Sequence, residues 1–466
     1  MAVEAHVGAL WQGLGLAPEA LPPLDLSGAE PVLPTSFRVG EAAQAAIALA
    51  GASAAALHAA RGGRPQRVAV VMAHAAAEFR SERFLSIDGG PPAELWDPIA
   101  GLYPTGDGGW VRLHTNFPHH RDGMLALLHC ANERDAVAEA LMGWRAMDLE
   151  AAAAEAGMVA SALRTFQDWD AHPQAAALRA APVIELTRLD DAPPTPLPPA
   201  AERPLGGLRL LDLTRVIAGP VAGRALAAHG ADVLRVTSPR LPDLPALDID
   251  TGRGKRSAQL DLDRPADADR LHALAGEADV FLQAYRPGAL AARGFGAETL
   301  AARRPGLVHA ELDAYGFDGP WAGRRGFDSL VQTATGFNHA EADALGREKP
   351  TALPAQALDH ASGYFLTAGI LAALIRRARE GGSWRVRVSL ARTGHWLRDL
   401  GRIDAATARR TPDPTSADAA PWLEETGSPF GRLRALSHAA KLSETPAHRA
   451  CPPVPLDHDT AEWPPR

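Results

Sequence analysis

Between residues 204 and 403 the sequence alternates short apolar runs with Ala- and Gly-rich stretches, and this alternation leaves few folds open. LRLLDLT (208–214) is a short apolar run that fits a buried strand. RVIAGPVAGRALAAHG (215–230) holds small residues and stops at a glycine, as a helix with a glycine terminator does. ADVLRVT (231–237) supplies a second strand, and ADVFLQAY (278–285) and LVHAELDAYG (307–316) supply further ones. Strands separated by helical segments imply a parallel, Rossmann-like sheet.

Proline-rich stretches punctuate the rest. LPPLDLSGAEPVLP (21–34), DDAPPTPLPPAAERPLGG (190–207) and the looser ATARRTPDPTSADAAPWLEETGSPFG (406–431) lack apolar periodicity and read as linkers or extended surface segments. The expected organisation is an N-terminal extension (1–35), a front block (36–189), a Pro-rich linker (190–203), a rear block (204–403), and a Pro-rich segment with a C-terminal strap (404–466). A weak internal repeat crosses the blocks. AAQAAIALAGASAAALHAARGGRPQRVAVVMAHAAAEFR (from 42) aligns with ASGYFLTAGILAALIRRAREGGSWRVRVSLARTGHWLR (from 361), pairing Arg67 with Arg385 and Gly51 with Gly369. At that offset Glu41 stands opposite Asp359.

The net charge of −8 provides no basic field for nucleic acid or an anionic membrane. The two cysteines, Cys130 and Cys451, match no metal spacing and build no disulfide framework. The N-terminal stretch carries acids early and does not read as a signal peptide, and no apolar run approaches the roughly 20 residues that span a bilayer. A cytoplasmic location is the expectation. His119-His120 has no third ligand beside it and reads as a loop rather than a metal site.

PLGGLRLLDLTRVIAGPVAGRALAAHGADVLRV (204–236) resembles the opening of the family III (CaiB/BaiF) CoA transferases. The resemblance continues in order through GRGKRSAQLDL (252–262), VFLQAYRPGALAARGF (280–295), AYGFDGPWAGRRGFDSLVQTATG (314–336) and ALDHASGYFLTAGILAAL (357–374). DPIAGLYPTGDGGWVRLH (97–114) and AAAAEAGMVASALRTFQDWDAHPQ (151–174) resemble the start and end of the family's small domain, and 431–460 resembles its closing segment. The resemblance implies an α/β fold, with a Rossmann-like parallel-sheet large domain and a smaller α+β domain, the small-domain half standing first in the chain.

What the resemblance implies chemically is exchange of CoA between carboxylic acids through an aspartate nucleophile, with CoA and acyl-CoA as substrates, a carboxylic acid as acceptor, and no tightly bound cofactor or metal. Covalent catalysis of this kind splits one difficult acyl exchange into several nearly isoenergetic ones. Asp359 stands at the nucleophile position, ahead of a helical run; a carboxylate there is also a plain helix cap. Lys255 and Arg256 suit the CoA phosphates, and a surface turn is the plainer reading. Arg215, Val216, Ile217 and Ala218 follow the first strand, where a nucleotide fold presents its ligand site. Tyr315 and Gly316 occupy a loop the family places near the thioester, Gln332 is a candidate for the acyl pocket, and Glu41 reads as a capping or solvated residue.

The chain departs from the family pattern at Thr237-Ser238, where relatives have an acid and a base, and at Ala291-Ala292, with Arg293 one place later than expected. Family members form interlocked homodimers, so a homodimer is expected, without nucleic acid or membrane. Two rival functions stay open. One is an acyl-CoA racemase of the same fold, which has Gly-His-Asp where this chain has Gly326-Phe327-Asp328 and would need His339 or His360 as a substitute. The other is a non-catalytic CoA-binding protein.

Overall fold

The computed structural model describes residues 2–199 and 202–465, so Ala200 and Ala201 of the expected linker lie outside the described residues. In the front block β1 (Leu24–Ser27), β2 (Val68–Val71), β3 (Ser86–Ile87), β4 (Gly101–Pro104), β5 (Trp110–Leu113), β6 (Ala160–Ala162) and β7 (Glu185–Arg188) are short. The rear block contributes β8 (Arg209–Leu213), β9 (Asp232–Thr237), β10 (Arg256–Gln259), β11 (Val280–Gln283), β12 (Val308–Asp313) and β13 (Trp384–Ser389). The tail adds β14 (Leu423–Ser428), β15 (Gly431–Leu436) and β16 (Lys441–Leu442).

The expected parallel sheet is present, in the order β10-β9-β8-β11-β12-β13-β7, and every pairing but the last is parallel. Strand order reverses between β8 and β11, and a crevice opens there, beyond the carboxyl ends of the strands. The antiparallel edge strand β7 comes from the front block, so the two blocks share this sheet. β4, β5 and β6 form a small antiparallel sheet with its own apolar core around Tyr103, Val111, Leu113, Met124 and Leu149, which is the smaller α+β unit. The tail works as a strap. β16 pairs with β2, β15 pairs with β3, and Asp459 exchanges hydrogen bonds with Ser257 along the free edge of β10. Covering that edge removes a row of unpaired backbone groups.

Two long helices, Val39–Ala60 and Ala357–Glu380, pack against each other at the centre of the molecule. Both are long and apolar enough to cross a membrane by composition, and both are buried in the core of the protein. Their residues belong to a single hydrophobic core that also takes Val3, Val7 and Trp11 from the N-terminal helix and Val280 and Val308 from the main sheet. The blocks that proline punctuation separates in the sequence are therefore one folded body.

The repeat is real in three dimensions. The helices begin 318 residues apart, at Val39 and Ala357, and β2 and β13 end at the same offset, at Val71 and Ser389. Each helix crosses its own strand at a glycine. A Cβ on Gly51 would sit 3.0 Å from Cγ1 of Val68, and one on Gly369 would sit 2.6 Å from Cγ1 of Val386, with Ile184 Cγ2 at 2.8 Å. These pairs are equivalent in the repeat, so the glycines are there for close helix-to-strand approach. Gly369→Ala therefore overpacks this joint, and urea unfolding is expected to show a loss of about 1–3 kcal/mol. A cost near zero would show that the joint relaxes freely.

Candidate active site

Two cavities lie along the crevice at the carboxyl edge of the main sheet. The first, of about 310 Å³, reaches Asp359; the second, of about 480 Å³, is flanked by residues after β9 and β10, and both are lined by Leu213, Leu241, Tyr285, Arg286 and Ala289. The first is walled on one side by the turn after β8 and on the other by Phe117, His119 and His120 of the front block. Arg215 joins the two walls, its guanidinium resting 4.8 Å from the ring centroid of Phe117. Both of these walls thus belong to one chain, and the His119-His120 pair, expected in a loop, opens the helix Pro118–Leu128 at the rim.

Asp359 is not the cap of its helix. It is the third helical residue, and the capping acceptor is Asp328, thirty-one residues earlier in the chain. Oδ2 of Asp328 accepts from the backbone N–H groups of Leu358 (2.8 Å) and Asp359 (3.0 Å). This frees the Asp359 side chain, which accepts no hydrogen bond among the described residues while lining the cavity. Burial pushes its carboxyl well above the ordinary range, and the neighbouring carboxylates of Asp328 and Glu82 push the same way. Glu82 comes from the front block and pairs with His360 at 3.2 Å. A buried carboxyl with no hydrogen-bond partner, crowded by like charge in a cavity wall, is a candidate functional group.

The repeat supplies a comparison inside the same molecule. At the equivalent helix start, the Glu30 carboxylate accepts from the N–H of Glu41 at 2.9 Å, as Asp328 does for Asp359. The Glu41 side chain, however, is tied to Arg38 at 2.6 Å. The capping device is duplicated, and the free carboxylate is present in one copy only.

The other expected contacts divide. Val216 and Ala218 line the first cavity, at the turn between β8 and the helix Ala218–Ala228. Val216 has φ +73°, a left-handed conformation that costs a β-branched residue about 1–3 kcal/mol and is typical of functional turns. Arg293 lines the second cavity, held by Asp263 at 2.8 Å. Lys255 and Arg256 correct the expectation. Lys255 is fully buried, its ammonium 2.7 Å from Asp212 and 2.8 Å from the Pro220 carbonyl, and it passes against Gly223, where a Cβ would meet Nζ at 2.7 Å. Arg256 pairs with Asp232 at 2.9 Å and donates to the Glu462 carbonyl of the strap. Neither lines the cavities; the motif's charges are structural, spent on an internal ion pair and on the strap.

The acyl-pocket residues also differ from expectation. The Tyr315 ring turns toward the small domain, where its hydroxyl lies 3.3 Å from Ser161 Oγ. Gly316 donates its N–H to Asp313 Oδ1 at 2.8 Å, so this amide is already used and does not hold an oxyanion. Gln332 lies behind the site, donating to Asp328 Oδ1 and to the Ala355 carbonyl and accepting from Leu353 N–H, so it fixes the cap rather than lining the pocket. Sequence reasoning missed Asp328, Glu82 and Asp313. Only Asp328, inside the Gly-Phe-Asp motif, left a signal. Among the described residues no group of three or more His, Cys, Asp or Glu is arranged to hold a metal.

Because burial and like charge raise the Asp359 pKa, the folded protein binds a proton there that the unfolded chain has released. The associated stability is present at acid pH and lost as pH rises through the folded pKa. Asp359→Asn is expected to raise Tm above wild type, by a margin that widens between about pH 5 and pH 8. A lower Tm across that range would show that the carboxylate is favourably held.

Residues 205–424 match the model of CoA-transferase family III. An acetyl-coenzyme A transferase of Hypoxylon pulicicidum is 37% identical over 215 residues, 45% of this chain and 36% of that protein. An acyl-CoA transferase of Gibberella moniliformis is 34% identical over 314 residues, 62% of this chain and 54% of that one. Among solved structures, Rv3272 of Mycobacterium tuberculosis is 36% identical with a TM-score of 0.40, covering 42% of this chain and 57% of that one. The chain spans about half or less of the length of the curated relatives it matches. Over residues 205–424, then, the chain is similar to CoA-transferase family III.

Proposed function

We propose that the chain transfers CoA from an acyl-CoA thioester to a carboxylic acid, with Asp359 as the nucleophile. The observation that carries the reading is an Asp359 carboxylate free of hydrogen bonds in the wall of a cavity that adjoins a second cavity along the same crevice. The second cavity suits the nucleotide end of CoA, with Arg240 and Arg293 at its edge and Arg286 between the two cavities. The pantetheine arm then runs past Val216 toward Asp359. The carboxylate attacks the thioester carbon, CoA leaves as thiolate, and the thiolate returns to the anhydride to form an aspartyl-CoA thioester that the acceptor acid resolves. The rearranged order of the two halves, with the small-domain half first, supports a cavity closed by a single chain rather than by a partner.

Two observations bear on the racemase reading. Position 327 in the cavity wall is phenylalanine, stacked on His114 with ring centroids 3.9 Å apart, and a phenyl ring moves no proton. Neither substitute histidine lines the cavity: His360 is paired with Glu82, and His339 lines a different depression.

The test is chemical trapping. Incubation with an acyl-CoA and hydroxylamine is expected to leave a hydroxamate at Asp359. Asp359→Ala should abolish exchange of labelled CoA while CoA affinity stays within about tenfold, or about 1.4 kcal/mol. Normal turnover by the alanine variant would refute the nucleophile assignment, and solvent deuterium entering the α-carbon of a 2-methylacyl-CoA would replace this reading with the racemase.

A further inference from the structure

The first cavity contains a second buried carboxyl group that the scheme above leaves unused. Asp313 closes β12 and lies in the wall that Asp359 also lines. It is 7% exposed, its Oδ1 accepts the Gly316 N–H, and its Oδ2 is enclosed and has no partner among the described residues.

The charged groups around it do not claim it. On the adjacent strand β13, Arg387 gives its guanidinium to Glu311 at 2.9 Å. Across the cavity, Arg215 donates to the Pro242 carbonyl, Arg325 to the Gly157 carbonyl, and Arg324 approaches Glu150. Arg286 is exposed at the mouth, Tyr285 and His120 are uncharged at neutral pH, and His119 sits on the rim. Burial, reinforced by Glu311, raises Asp313 to about 8 despite the Gly316 amide and the more distant Arg387. At neutral pH it therefore carries a proton and can donate a hydrogen bond. Ionised, it would repel both Asp359 and an incoming carboxylate.

We propose that the Asp313 carboxyl, its enclosed Oδ2 brought to the cavity by a turn of the side chain, is the hydrogen-bond donor to the acyl carbonyl oxygen of the substrate at Asp359. The assignment rests on the CoA-transfer reading. As the Asp359 carboxylate forms a C–O bond to the thioester carbon, the carbonyl π pair moves onto oxygen, and Asp313 meets the growing charge there. The pair returns as the C–S bond breaks and CoA leaves as thiolate. Asp313 keeps its proton throughout, so the step balances without a further acid. This replaces the Gly316 amide, which is occupied, with a side-chain donor one strand-end away.

The experiment is exchange of labelled CoA into acyl-CoA from pH 6 to 9.5, for wild type, Asp313→Asn and Asp313→Leu. The wild-type rate is expected to fall about tenfold per pH unit above the Asp313 pKa, opposite in sign to the rise that ionisation of Asp359 produces. Asp313→Asn keeps a donor that does not titrate, so its rate should stay within about tenfold of wild type at pH 7 and lose the alkaline fall. Asp313→Leu should lose about 10²-fold in kcat with little change in KM for acyl-CoA. An alkaline fall that persists in the Asn variant, or a Leu variant as fast as wild type, overturns the assignment. Should the Leu variant fail to fold, the Asn pH profile decides alone. If wild type exchanges no acyl-CoA at all, the CoA-transfer reading fails and the Asp313 role fails with it; exchange with an unaltered alkaline limb in the Asn variant removes only Asp313.

Discussion

Close packing of two buried helices, Val39–Ala60 on Ala357–Glu380, is the constraint from which the rest of this molecule follows. The front helix is largely alanine and the rear helix is rich in alanine, leucine and glycine, so the pair approaches closely and each reaches its own strand at a glycine. Small residues give little burial energy apiece, and the gain comes from fitting many atoms at van der Waals distance. With the pair in place, the first turn of the rear helix is held by the Asp328 carboxylate. Asp359 sits in that turn, so the position of its carboxyl group is set by the core.

The site also depends on where charge is not placed. Buried cations elsewhere have committed partners, Lys255 with Asp212 and Arg224 with Asp250. Asp359 has none and faces Asp328 and Glu82 instead. An unpaired buried carboxylate is costly unless other parts of the fold hold it there. Here the holding is done by the backbone: the Asp328 cap fixes the helix end, and Gln332 fixes Asp328. The strained turn at Val216 lies on the same cavity.

Much of this was legible in sequence. The βα alternation from residue 208 gave the parallel sheet, because apolar runs of strand length bounded by small-residue helices have few other solutions. The Gly51 and Gly369 repeat proved to be a packing device, as its spacing to Val68 and Val386 shows. The position of Asp359 on the cavity followed from motif order. What was not legible depended on partners distant in the chain. Whether Lys255 meets a phosphate or an internal aspartate turns on Asp212, and whether Asp359 or Asp328 caps the helix turns on a contact across about thirty residues. β7 joining the rear sheet, and the front block closing the cavity, are likewise tertiary facts with no local signature.

The described residues on either side of Ala200 and Ala201, between the halves, are held down. Arg61, at the end of the front helix, donates to the carbonyls of Pro198, Pro199 and Gly206, stapling these residues to a helix far earlier in the chain. A cavity with walls on separate chains comes apart on dilution. Here both walls lie on one backbone, so their effective concentration is set by chain connectivity instead of by how much protein is present. These two walls are then brought together by the folding of one chain.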